Sequence, residues 1–264
     1  MRTAVGAHFL KRVLVVVVFL PLAFPLAAYD GGGGYELLEL DGYKVKWGEQ
    51  EFGAGASVSY ALADEALRFN EARNCRQLAP IEALSRGNVS REALVRETAA
   101  AFRVWERAAG LSFHRVSDAR DADIVIGAQG RPRGRAFANV SYARDPGKDG
   151  EVRRIEQAQV CLNPEHQWKI GFDGNRDVYD IRYTLIHEIG HAIGLDHPGP
   201  SGQVMGFRYT EAFNKLQPGD LLGVQRLYGR TDHSDDLAEN SVVNTAEDEG
   251  AGTPSGSPED SIDG

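Results

Sequence analysis

Residues 187–197 read His187-Glu188-Ile189-Gly190-His191-Ala192-Ile193-Gly194-Leu195-Asp196-His197, and three of the seven histidines in the 264-residue chain fall inside this stretch. Read as a helix, its first part sets His187 and His191 on one face about one turn apart, near enough to share a metal ion. Leu185, Ile186, Ile189, Ala192 and Ile193 fall on the opposite side, an apolar stripe that seats the helix while the histidines look into a cleft. Gly194 stands where such a helix has to stop, because glycine takes positive φ without steric cost, and the turn returns His197 as a third ligand. Three neutral imidazoles suit one catalytic zinc, with the fourth position left to a water whose pKa the ion brings down toward ~7. Glu188, next to the first ligand, is placed to take that water's proton. An ordinary helix can carry two histidines four apart, but the glycine and the third histidine at their spacings are not met by chance.

The pattern HExxHxxGxxH resembles the metzincin metalloproteases, and within them the matrixins. Met205, eight residues after His197, stands where metzincins place a methionine under the zinc. Tyr209, four further on, resembles the end of the matrixin pattern MxPxY, which implies a wall for the pocket that takes the residue after the cut bond. Phe207 departs from that pattern, which has proline there. Serralysins and astacins instead carry a tyrosine at that position that reaches the zinc, so Phe207 excludes such a ligand. The phrase Ala101-Phe102-Arg103-Val104-Trp105, the following Leu111-Ser112-Phe113, and Ala122-Asp123-Ile124-Val125-Ile126-Gly127 resemble the first helix and the second and third strands of matrixins. Gly223-Val224-Gln225-Arg226-Leu227-Tyr228-Gly229 resembles their last helix, DDxxGIQxLYG, with Asp220 matching the second Asp and Gly219 replacing the first. The resemblance spans roughly residues 45 to 229 and implies an α/β (α+β) metzincin catalytic domain: a twisted, mostly parallel five-stranded sheet with three main helices. It further implies that Gly194 and Met205 support the site and that Phe207 and Tyr209 border the substrate pocket.

The flanking sequence is read more simply. Arg2, Lys11 and Arg12 precede the apolar run from Val13 to Ala28, broken by Pro21 and Pro25 and ending in the small residues Ala27 and Ala28. Residues 1–28 thus read as a cleaved export signal, since the run is short for a membrane anchor of ~20 residues, and the mature protein is expected to be secreted or periplasmic without stable membrane insertion. Residues 29–46, opening on Gly31 to Gly34, read as a flexible spacer too short for a propeptide. The peptidase domain is expected over 47–229, with an irregular, partly helical insertion over 64–87. Beyond it lies an acidic, disordered tail over 230–264. Ten of the 38 acidic residues fall after Arg230, where no Lys or Arg occurs, so the remainder is nearly neutral despite the formal charge of -9. That balance argues against nucleic acid and leaves no basis for steering toward an acidic substrate; the resemblance implies a peptide or protein substrate, and a monomer is expected.

Cys75 and Cys161 are the only cysteines, and one disulfide is expected in an exported chain. Two buried free thiols, or Cys75 as a zinc-blocking thiolate, compete with it; the context Arg73-Asn74-Cys75-Arg76-Gln77 lacks the PRCGxPD of such a switch. The His and Asp cluster that holds structural zinc and calcium in matrixins is missing. Asp145, Asp149 and Asp173 remain as candidates for calcium, without EF-hand spacing, and His114 and His166 read as surface or structural residues. Asn88 and Asn139 begin glycosylation sequons. Strands are expected from Ser57, over Arg135–Tyr142 and over Glu156–Leu162, and the resemblance to matrixins implies that the second of these is an edge along which an extended peptide lies. Arg133, Gly134 and Arg135 would then either guard that edge or form a loop. The function expected is a zinc endopeptidase with Glu188 as general base. A catalytically silent zinc protein on the same fold, or a serralysin-like protease, stands as the alternative.

Overall fold

The computed structural model describes residues 34–85, 89–131, 134–145, 150–199 and 202–231. The export signal, Asn88, Arg133, Asp149, Pro200 and Ser201, and the tail beyond Thr231 lie outside them.

The main sheet holds strands β1 (Tyr43–Lys46), β2 (Ala56–Leu62), β3 (Leu111–Arg115), β4 (Ile124–Ala128), β5 (Ala136–Tyr142) and β6 (Val152–Leu162), with a short strand Glu39–Leu40 beside β1. The pairs β3/β2, β2/β4 and β4/β6 are parallel, and β5 runs antiparallel to β6 as a sheet edge. These five long strands form the mostly parallel sheet expected. The sequence reading erred at the start of the chain. Residues 34–46 are not a spacer: Glu36–Leu37 pairs with Leu195–Asp196, and β1 pairs with Val152–Arg154. Leu37 and Val45 are buried, and their apolar area holds down a segment whose glycine-rich opening had masked it.

Helix α1 (Arg91–Ala108) links the parallel strands β2 and β3, as a parallel pair requires. The Ser90 side chain accepts from the Ala93 amide and starts the helix. Phe102 stacks on Tyr60 of β2, with ring centroids 4.0 Å apart, and Trp105 is fully buried. Helix α2 (Ile181–Ala192) lies between α1 and the edge strand, and α3 (Pro218–Tyr228) closes the fold with Pro218 at its first position.

The insertion is a correction of a different kind. Among its described residues there is no α-helix; Leu67–Arg68 pairs with Gln77–Leu78, and Ile81–Leu84 makes one 3₁₀ turn. Leu67, Cys75 and Leu78 pack with Ala61, Val125 and Cys161 on the sheet face away from the helices. Strand β4 is therefore buried on both faces, which explains its unbroken apolar run where a one-sided strand would alternate. Gly127 belongs to that contact, since a Cβ there would meet Leu78 and the Ala79 carbonyl at 3.0 Å.

Cys75 and Cys161 form a disulfide that ties the insertion to β6 across 86 residues of sequence. Replacing both with serine is expected to lower unfolding free energy by about 2–4 kcal/mol in a denaturant titration, with zinc content unchanged, because the link restricts the unfolded chain over a long loop. An unchanged midpoint would mean that apolar packing alone holds the insertion.

Candidate metal centre

Helix α2 begins at Asp180, whose carboxylate accepts from the Tyr183 amide at 2.7 Å and from the Gly171 amide at 2.6 Å. Leu185, Ile186, Ile189, Ala192 and Ile193 are all buried, as their spacing implies. The helix end is closed by distant side chains. The Trp47 indole donates to the Ala192 carbonyl at 2.9 Å, and the Tyr228 hydroxyl donates to that of Ile193 at 2.7 Å. Gly194 then turns the chain at φ 100°, where a Cβ would lie 2.2 Å from the Val45 carbonyl oxygen. Both space and backbone angle demand glycine there.

This turn brings His197 back over the helix. Its Nε2 lies 3.1 Å from Nε2 of His187 and 3.2 Å from that of His191. The other ring nitrogens are engaged elsewhere: Nδ1 of His187 donates to the Val204 carbonyl at 2.7 Å, and Nδ1 of His191 donates to that of Leu195 at 2.9 Å. Those bonds set the tautomer and leave bare lone pairs on Nε2, aimed at one point. Facing lone pairs at such distances repel unless a cation lies between them. Tetrahedral zinc with bonds of ~2.0–2.1 Å holds its nitrogen ligands roughly 3.3 Å apart, so the donor set fits that ion. Burial first, then the neighbouring imidazole, depresses the pKa of His191 to about 4 and that of His187 well below the ordinary 6.5.

Glu188 is 4% exposed beside His187, and among the described residues no hydrogen-bond donor reaches its carboxylate. Burial raises its pKa from 4.5 to about 7, against the opposing field of Arg135. A carboxyl group poised near neutrality can take and return a proton.

Two supporting contacts escaped the sequence reading. A Cβ on Gly190 would lie 2.3 Å from Sδ of Met205 and 3.0 Å from the Trp105 ring, so the glycine between the two helical histidines is a seat for the methionine. Its place inside the motif was the available signal. Asp220, in sequence only the counterpart of the second Asp in the last-helix pattern, accepts from the Gln217 amide at 2.8 Å and also from the Val204 amide at 2.8 Å and the Met205 amide at 3.0 Å. One buried carboxylate thus fastens the methionine turn to α3, and the same turn supplies the carbonyl that orients His187.

The other candidates divide. The Tyr209 hydroxyl donates to Glu211 and accepts from the Asp180 amide, and its ring meets Tyr183 edge-on at 5.3 Å, one helical turn before His187. Phe207 is 73% exposed with its ring 5.1 Å from that of His197, at the rim of the site. His114 is exposed on β3, and His166 lies 3.1 Å from the Gly134 carbonyl, a structural tether. Among the described residues His187, His191 and His197 are the one cluster of three or more such side chains that could hold a metal, and neither Asp145 nor Asp173 belongs to it. Asp173 is instead paired with Lys169, whose ammonium also meets Glu211 at 2.6 Å.

The family model of the matrixin peptidases matches residues 81–229. The chain is a matrixin. Among its relatives are matrix metalloproteinase-16 of Rattus norvegicus, 31% identical over half of this chain, matrilysin of Mus musculus at 29% over 49%, and stromelysin-3 of Homo sapiens at 31% over 52%. The match spans 23%, 49% and 28% of those proteins respectively. Matrixins are zinc metallopeptidases, and the histidine triad of this matrixin is compatible with zinc.

Proposed function

We propose that this matrixin is an exported zinc endopeptidase that cuts peptide bonds by general-base hydrolysis, acting as a monomer. The observation that carries the reading is the convergence of His187, His191 and His197 beside a buried, undonated Glu188. Zinc held by the three Nε2 atoms would supply a Lewis acid that polarises the peptide carbonyl and acidifies the attacking water. Glu188 takes the proton from that water and returns it to the leaving amine. The edge strand β5 offers unpaired backbone groups to an extended substrate, and Phe207 and Tyr209 border the cleft on the side of the methionine turn. Residues 1–28 act as the export signal, the peptidase domain runs from Gly34 to Gly229, and the acidic tail follows it. Among the described residues no helix is long and apolar enough to cross a membrane. Calcium has no part in this reading, and a silent zinc protein would have no use for a buried carboxyl at position 188.

Zinc content by elemental analysis and hydrolysis of casein, with and without chelator, test the proposal. One zinc per chain and chelator-sensitive cleavage restored by zinc are expected; a purified protein that takes up no zinc at neutral pH would end it. The pH dependence has a definite sign. The folded His191 stays neutral down to about 4, whereas the unfolded chain protonates near 6.5, so the unfolded state binds more protons between these limits. Stability of the metal-free protein should therefore fall as pH drops from 6.5 toward 4, and zinc should remain bound at pH 6 and leave on further acidification. Thermal melts and dialysis against stepped buffers read both effects.

A further inference from the structure

Arg135 sits just before β5, and the hydrolytic scheme above leaves it without a task. Its guanidinium lies over two rings, 5.1 Å from the centre of Tyr179 and 5.6 Å from that of Tyr209. Those rings meet edge-on at 5.2 Å, and Tyr209 meets Tyr183 in the same way, so the cation occupies a tyrosine-lined corner one helical turn from His187. Its Nε is buried and makes no hydrogen bond. Among the described residues no carboxylate pairs with it, although acids stand nearby. Glu211 is taken by Lys169 and the Tyr209 hydroxyl, and Asp180 by the Tyr183 and Gly171 amides.

A half-buried cation with an unsatisfied N–H is costly to keep unless an anion arrives from outside. Lying over two rings that are perpendicular to each other confines the guanidinium, and its unpaired Nε–H can serve an arriving carboxylate as one arm of a charge-assisted pair. A peptide extended along β5 passes this corner and turns alternate side chains toward it.

We propose that Arg135 is a specificity-determining residue that receives the side-chain carboxylate of an aspartate or glutamate flanking the cut bond. The proposal deepens the peptidase reading and rests on it. A role confined to the charge balance of Glu188 would change the rates of all peptides alike; a recognition role changes them according to the flanking residue.

The test uses the zinc-loaded full chain and paired quenched peptides with Glu or Gln at each of the two positions flanking the bond. At one position the Glu peptide is expected to show a kcat/KM higher by roughly tenfold or more, carried mainly by KM, as a charge-assisted pair implies. Arg135→Gln should bring the Glu-to-Gln ratio to about one, Arg135→Lys should restore part of it, and Arg135→Glu should shift preference to Lys. In parallel, fluorescence anisotropy of the labelled Glu and Gln peptides on Glu188→Ala, with and without Arg135→Gln, reads recognition without turnover. Cleavage with equal ratios in wild type and Arg135→Gln overturns this proposal and leaves the peptidase reading intact. No cleavage by wild type, together with Arg135-dependent tighter binding of the Glu peptide, overturns the peptidase reading and cuts this one back to a carboxylate-binding role for Arg135. No cleavage and equal binding overturns both.

Discussion

Glu188→Ala is expected to lower kcat/KM for peptide hydrolysis by about 10²–10⁴-fold, the range for loss of a positioned general base, while zinc content stays at one per chain. The two halves of this expectation have separate structural grounds. The carboxyl is buried, lacks protein donors and is raised to about 7, so it is poised for proton transfer and for no visible structural task. The histidines draw their orientation from the Val204 and Leu195 carbonyls, which the substitution leaves in place. Glu188→Gln, of the same size, separates proton transfer from packing and should be as inactive as the alanine variant. The acid limb of the wild-type rate profile should lie between 4.5, the ordinary value, and about 7, because burial raises the carboxyl and a divalent cation beside it lowers it again. Activity comparable to wild type in both variants would remove Glu188 from the reaction.

The active helix could be read residue by residue because ligand spacing, apolar stripe and terminal glycine are all local, and each is a constraint on one turn of helix. Part of α1 was legible too, because the phrase Ala101-Phe102-Arg103-Val104-Trp105 lies within that one element. What escaped the sequence depends on contacts between distant parts. The pairing of Glu36–Leu37 with Leu195–Asp196 could not be seen from a glycine-rich opening, since a two-residue strand has no period to detect. The insertion was misread in its elements but its tether was foreseen, because an even cysteine count carries information that hairpin residues such as Leu67 and Leu78 do not. Arg135 marks the limit most clearly. In sequence it is one of two arginines at a supposed edge, and only the fold brings Tyr179 and Tyr209, more than forty residues away, against its guanidinium.

Asp220 is the second residue where a large effect is expected, and it lies outside the motif. Its carboxylate is 1% exposed; burial raises its pKa while the Met205, Gln217 and Val204 amides oppose the rise. Asp220→Ala leaves two buried donors and a part-buried one without an acceptor, and with a net cost of about 1–3 kcal/mol for each buried group a total near 3–5 kcal/mol is expected after relaxation. Asp220→Asn should fall between, because the oxygen facing Val204 and Gln217 can be kept, while the amide nitrogen would then confront the Met205 N–H. The damage should reach the metal. The Val204 carbonyl that holds His187 Nδ1 belongs to the turn released by the substitution, and loss of such an outer contact weakens metal binding by about 10–100-fold. A chelator-competition titration therefore distinguishes this account from simple destabilisation: Asp220→Ala should lose zinc affinity even at temperatures where it remains folded, whereas the double serine variant of Cys75 and Cys161, also destabilised, should keep it. If both variants lose zinc only as they unfold, the link from α3 through the methionine turn to His187 carries no coupling.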